Sequence, residues 1–233
     1  MSNNEGQKTK DQRPKTKGQR PTTNDQTRHT KALAGILLAA GRSRRMGAFK
    51  PLLPFGPTTV IRSCIQNLQA AGVEDIVVVL GHRAGDVRES LKDLDLRFAL
   101  NPDRESEMSD SIRCGVLELP TESKAILIAL TDHPAVPPDA IRAIVHEWRS
   151  GHQLVIPEFQ GRGGHPVLVD LRFRDELVNL DSNRGLKSLF AAHKGLVRRR
   201  PVNSPYIARD MDTWDDYRAL HEEIFGTQPN MGH

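Results

Sequence analysis

This sequence predicts an α/β fold, a mostly parallel sheet between two layers of helices, on three observations. Residues 36–40, 76–80 and 125–130 are short and continuously apolar, as strands buried on both faces are. The stretches between them carry apolar residues at helical spacing. Strand and helix patterns also alternate along the chain, which is the signature of crossover connections and a parallel sheet.

The elements follow in order. Residues 36–40 form the first strand and break into Gly41-Arg42-Ser43-Arg44-Arg45-Met46-Gly47, with Lys50 close behind. Residues 58–71 read as an amphipathic helix, with Val60, Ile61, Cys64, Ile65 and Leu68 on one face and Gly72 as its stop. The strand at 76–80 leads through Gly81-His82-Arg83 into a helix reaching Leu91. A strand at 96–101, a helix at 106–119 and the strand at 125–130 follow, the last ending in Thr131-Asp132-His133-Pro134. Residues 138–148 form the next helix. The second half is less regular. A hairpin joins 154–157 to 165–169 through the glycine-rich turn 159–164. Two short helices near 172–178 and 185–193 and a strand at 197–202 come next. A last helix opens at 209–213, with Asp212 or Thr213 placed to cap it.

Composition bounds the function. Residues 1–31 hold no Val, Ile, Leu, Phe, Trp or Tyr and carry a net charge of +5, so the remaining chain is at −1. The stretch 1–31 reads as a disordered basic tail, because it has no apolar area to offset the entropy of ordering. Residues 32–225 read as a single domain. With the basic excess confined to the tail, a nucleic-acid partner is not expected. Cys64 and Cys114 form neither a disulfide framework nor a zinc pattern. No run approaches the ~18 apolar residues of a membrane helix and no secretory h-region stands at the start, so a cytoplasmic location is expected.

The stretch at 36–50 carries the first chemical signal. A buried strand opening into glycines and cations suits a phosphate group: glycine lets backbone N–H groups approach an anion, and Arg and Lys neutralise it. The pattern is neither G-x-x-x-x-G-K-[ST] nor G-x-G-x-x-G, which disfavours a Walker A loop and a dinucleotide fingerprint.

The run L-A-A-G-R-S-R-R-M-G-A-F-K-P-L-L-P at 38–54 resembles the signature loop of nucleotidyltransferases that use nucleoside triphosphates, and within them the molybdenum cofactor cytidylyltransferase branch. Further segments are similar to that branch. They are Asn101-Pro102 with Met108, Ser111-Ile112 and Gly115; Leu130-Thr131-Asp132-His133-Pro134; Gly161-Arg162-Gly163-Gly164-His165-Pro166-Val167; and Asp210-Met211-Asp212-Thr213-Trp214-Asp215-Asp216. Together they span about residues 33–220. Three features depart from the branch: His133 stands in place of Gln, Glu107 in place of Gly, and the segment 181–187 is longer, with Lys187 where Arg is usual.

The resemblance implies a Rossmann-like sheet of the nucleotide-diphospho-sugar transferase type. It implies transfer of CMP from CTP to a phosphorylated acceptor, in that branch a molybdopterin-type cofactor, with release of pyrophosphate; a molybdoenzyme is then a further partner. It places Leu38, Ala39, Ala40, Gly41, Gly81 and Ser111 on the nucleotide, and His165 and Lys187 on the acceptor. Arg45 and Lys50 are the candidates to cradle the triphosphate. Asp132, at a strand end, is the first candidate to hold Mg²⁺ and Asp210 the second, with Asp212 as the substitute for Asp210. Hard carboxylate oxygens suit Mg²⁺, which binds through one or two carboxylates plus phosphates. A phosphate-monoester acceptor, with its second pKa of about 6, is ionised at neutral pH and needs no general base. A guanylyltransferase of the same pathway, a transferase using another phosphate-monoester acceptor and a non-catalytic nucleotide-binding cofactor chaperone are the alternative readings.

Overall fold

The structure is a computed structural model and describes Met1 and residues 32–41, 46–103 and 107–230. The expected tail and Arg45 lie outside the described residues, apart from Met1. The centre of the molecule is β1 (Leu33–Ala39), seven residues all buried. It pairs in parallel with β4 (Asp75–Leu80) on one side and β6 (Ala125–Leu130) on the other. Its alternate side chains enter two different cores. Leu33, Leu37 and Ala39 pack with α1 (Val60–Ala70), α2 (Ala84–Ser90) and α4 (Pro138–Arg149). Ala34, Ile36 and Leu38 pack with α3 (Met108–Leu117), α5 (Arg174–Val178) and α6 (Leu186–Ala192). This two-sided burial is why the strand sequences are continuous apolar runs, and it makes the expected three-layer α/β/α arrangement.

The main sheet runs β10-β7-β9-β6-β1-β4-β5. Here β5 is Arg97–Leu100, β7 Leu154–Phe159, β9 Val167–Asp170 and β10 Val197–Pro201. β9 is antiparallel to both of its neighbours, and the other pairings along this order are parallel. The short β8 (Arg162–Gly163) folds back on β7. The hairpin expected in the second half is therefore present, and it supplies the one reversed strand of that order.

Two features differ from the sequence reading. A small ribbon, β2 (Pro54–Phe55) with β3 (Thr58–Thr59), precedes α1, so the helix begins at Val60 rather than Thr58. Two-residue strands are too short to show a period. The last helix, α7 (Trp214–Phe225), is capped by Thr213, whose hydroxyl accepts from the Asp216 N–H while the Asp216 carboxylate accepts from the Thr213 N–H. This capping box takes the cap away from Asp212 and frees that carboxylate for another contact. α7 and the ribbon share a third, smaller core of Met46, Leu53, Phe55, Val60, Met211, Tyr217 and Leu220.

Candidate active site

From β1 the chain reaches β4 and β5 on one side of the sheet, while β6 lies on the other. The sheet order thus reverses between β1 and β6, and in open α/β sheets ligands lie in the crevice at the carboxyl ends beside such a reversal. Ala40 and Gly41 leave β1 there. Thr131 and Asp132 leave β6 beside them, with the Thr131 N–H and hydroxyl donating to the Leu38 carbonyl at 3.3 and 3.1 Å.

Lys50 returns to this point from the short 3₁₀ turn Lys50–Leu52. Its residue is only 8% exposed, and its ammonium donates to the Asp212 carboxylate at 3.1 Å. A buried ammonium needs a partner, and a carboxylate 162 residues away supplies one. Asp132 accepts from Nδ1 of His133 at 2.7 Å. Burial pushes the Asp132 carboxyl up. The His133 hydrogen bond and the nearby Lys50 charge outweigh this and hold it below the ordinary carboxylate range. Asp132 is thus anionic at neutral pH, and Lys50 lies within electrostatic reach of it.

The other strand ends complete the crevice. Gly81 at the end of β4 approaches Ala40 so closely that a Cβ would stand 2.9 Å from the Ala40 carbonyl oxygen and 3.1 Å from its Cβ. Only glycine allows that approach. At the end of β5, buried Asn101 donates its amide to the Ser111 hydroxyl at 2.9 Å, and Ser111 is buried too. On the far side, Nδ1 of His165 faces the Ile128 carbonyl at 3.3 Å, and its ring lies 5.8 Å from that of His133. Burial first, and then His133, lower the proton affinity of His165, so it stands as a neutral imidazole that donates from Nδ1.

The structure brings Leu38, Ala39, Ala40, Gly41, Lys50, Gly81, Ser111, Asp132 and His165 to this end of the sheet. Lys187 is exposed in the first turn of α6, and Asp210 is exposed while Asp212 holds Lys50. Asp132 is not a helix cap: α4 follows Pro137, with no side-chain cap. His133 is largely buried against Asp132 rather than solvated in a loop. Sequence reasoning left out Asn101 and His133 as site residues, although each directly follows a strand end or a strand-end aspartate.

The donor chemistry fits a hard divalent cation. Asp212 accepts from the Lys50 ammonium, and the Asp132 carboxylate lies within reach of the same charge. Among the described residues there is no group of three or more His, Cys, Asp and Glu that could hold a metal by itself. Such a set suits a cation that completes its shell with water and phosphate oxygens. The buried Cys64 thiol is no nucleophile: burial, aided by the Asp132 charge, raises its pKa far above the ordinary thiol value. No helix among the described residues is long and apolar enough to cross a membrane.

Comparison with known proteins agrees with this geometry. The chain is 28% identical over 198 residues to nicotine blue oxidoreductase of Paenarthrobacter nicotinovorans, covering 81% of this chain and 96% of that one. It is 26% identical over 195 residues to the molybdenum cofactor cytidylyltransferase of Escherichia coli K12, covering 82% and 96%. The crystal structure of Rv0371c in complex with manganese, from Mycobacterium tuberculosis H37Rv, superposes with a TM-score of 0.69 at 28% identity, covering 82% of this chain and 98% of that one. A family profile, that of the MobA-like NTP transferase domain, matches residues 35–197. The chain, matched by this profile over more than half its length and folded as an α/β/α sheet, therefore belongs to the MobA-like NTP transferase family.

Proposed function

We propose that this protein transfers CMP from CTP to a phosphate-monoester acceptor, a molybdopterin-type cofactor, in the cytoplasm and with Mg²⁺. The observation that carries the reading is the Lys50–Asp212 pair set beside anionic Asp132 at the β1–β6 reversal. An acceptor phosphate oxygen attacks the α-phosphorus. The new P–O bond forms as the bond to the β-phosphate bridging oxygen breaks, and pyrophosphate leaves. No proton has to move, because the attacking oxygen is already ionised. Positioning and charge neutralisation then supply most of the rate.

The residues divide by charge and position. Lys50 and Arg45 neutralise the triphosphate. Asp132 and Asp212 hold the divalent cation; Asp212 takes the place of Asp210 in this reading because it is the carboxylate that meets Lys50. Bound there, Mg²⁺ would neutralise charge on the phosphates and leaving group. Leu38, Ala39, Ala40, Gly41 and Gly81 border the base, and Ser111, held by Asn101, faces the ribose. His165 and Lys187 serve the acceptor. The methyl of Ala40, packed against Gly81, leaves less room for a purine and supports cytosine over guanine.

The test is a pyrophosphate-release screen of four nucleoside triphosphates with Mg²⁺ or Mn²⁺, with and without molybdopterin precursors and sugar phosphates. Release that requires both CTP and a phosphorylated acceptor is the expected result. Binding of a triphosphate with no pyrophosphate release in any combination would replace the transferase reading with that of a nucleotide-binding accessory protein.

A further inference from the structure

Asp132 is held at one corner by the residue that follows it. Nδ1 of His133 donates to Oδ1 of Asp132 at 2.7 Å. The His133 side chain is 9% exposed and the Asp132 side chain 27%, so the donor is the deeper of the two. Among the described residues nothing donates to Oδ2. Adjacent side chains keep such an aim only where the backbone between them is fixed, and here it is fixed at both ends. Thr131 donates twice to the Leu38 carbonyl of β1. The Pro134 carbonyl accepts from the Ser63 hydroxyl at 2.9 Å and from the Asn67 amide at 3.0 Å, two polar side chains one turn apart on α1. The turn that carries Asp132 and His133 is thus tied to the central strand and to the helix beside it.

The bond matters because of what an unheld carboxylate does. The χ2 torsion of Asp is broad and roughly two-fold, so a free carboxylate swings and exchanges its oxygens. A donor on Oδ1 confines that torsion and leaves Oδ2 for another partner. A small divalent cation that binds through one or two carboxylates is held best by an oxygen fixed in this way.

We propose that His133 is a positioning residue for the divalent cation: its Nδ1–H holds Oδ1 of Asp132 and leaves Oδ2 to the metal. The inference rests on the reading of Asp132 as a ligand of that cation. A merely structural His133 fills space beside His165, whose ring centre lies 5.8 Å away, and any ring of that size would serve. A positioning His133 acts through its donor, and a ring without one does not replace it.

The test measures Mn²⁺ binding by water proton relaxation, with Mn²⁺ alone and then with CTP, on the full chain and on His133→Phe, His133→Asn and Asp132→Asn. Phenylalanine keeps the ring and loses the donor. Asparagine loses the ring, but its amide nitrogen, like Nδ1, is bonded to Cγ and donates from the same place. His133→Phe should melt near wild type with its Kd for Mn²⁺ raised about tenfold, the lower end of the range for losing a group that orients a metal ligand. His133→Asn should melt lower and yet bind Mn²⁺ nearly as tightly as wild type. A space-filling role predicts the reverse pattern. Should His133→Phe fail to fold, His133→Ala removes the same donor without crowding, and the same rise in Kd is expected. An unchanged Kd in a folded variant without the donor, or an equal loss in His133→Asn, overturns the proposal alone. No Mn²⁺ binding by the wild-type protein, or binding that Asp132→Asn leaves unchanged, overturns it together with the reading of the site.

Discussion

The two halves of the sheet are built differently. In the inner half, β1, β4, β5 and β6 are mutually parallel, and the site residues sit at their ends on a backbone fixed from both faces. Ala40 and Gly81 touch through main-chain atoms, and Thr131 is bonded to the backbone of β1. In the outer half, β9 is reversed, β10 is an edge strand carrying three arginines, and Lys187 stands exposed on a short helix. The difference teaches where specificity can vary. On the proposed function, the nucleotide side is made of backbone and buried strand ends and changes little without loss of the fold. The side proposed for the acceptor, a hairpin and a short helix, can be altered piece by piece, and the departures from the resembling branch at 181–187 fall there.

The outer half is nonetheless pinned at two points, and each offers a way to break the contrast. The larger is Gly164. The hairpin comes so close to the 3₁₀ turn Pro205–Ala208 that a Cβ on Gly164 would stand 1.9 Å from the Ile207 carbonyl oxygen, and the His165 N–H donates to that same oxygen at 2.7 Å. Both partners are backbone and neither can move aside cheaply. Gly164→Ala should cost about 3 kcal/mol by denaturant unfolding, the upper range for overpacking. A loss below about 1 kcal/mol would show that the hairpin can yield.

The second pin is Glu147 on α4. Its carboxylate, nearly buried, accepts from Nε of Arg198 and a terminal nitrogen of Arg200, each at 3.0 Å. Removing the charge leaves two arginines without their partner. Glu147→Gln should cost about 2 kcal/mol, below the range for fully buried pairs because the arginines are half exposed. Burial raises the Glu147 carboxyl, but the Arg198 hydrogen bond and the Arg198, Arg200 and His152 charges lower it further. A depressed folded pKa means stability that is present above the unfolded carboxylate value and is lost as pH falls through the folded one. Thermal melts in the acid range should therefore fall less steeply for Glu147→Gln than for wild type; parallel curves would contradict the pairing.

The smallest effect probes the inner half. Ala40→Gly removes the methyl that meets Gly81 and should improve GTP relative to CTP in kcat/KM by about tenfold, the worth of a methyl-sized difference. No change in the ratio would take Ala40 away from the base.

Much of the inner half was legible in the sequence because its determinants are local. The run at 36–40 is a buried strand whatever follows it, and Asp132 ends the strand 125–130 by adjacency alone. Lys50 stood out as the cation close behind the glycine- and arginine-rich run 41–47. What could not be read depends on chain folded back from afar. The Asp212 carboxylate meets Lys50 because Thr213 caps α7 and Met211 is buried in the third core, and the sequence around Asp212 marks it only as a candidate helix cap. The bond from the Trp214 indole N–H to the Met46 carbonyl is equally non-local. The ribbon Pro54–Phe55 with Thr58–Thr59 was too short to carry a pattern, and the burial of His133 follows from packing rather than from its loop sequence.

The central claim is that Asp132 and Asp212, from opposite parts of the chain, act as one unit on a metal-bound triphosphate. The direct measurement is kcat for CTP-dependent pyrophosphate release, over a range of Mg²⁺, in Asp132→Asn, Asp212→Asn and the double variant. Each single change should lower kcat by about 100-fold or more, the scale of losing a positioned charge-stabilising group, with the melting temperature of Asp132→Asn nearly unchanged. The double variant should be little worse than either single one, as for groups that work together. Near-normal turnover in Asp132→Asn, or losses that multiply in the double variant, would contradict the claim.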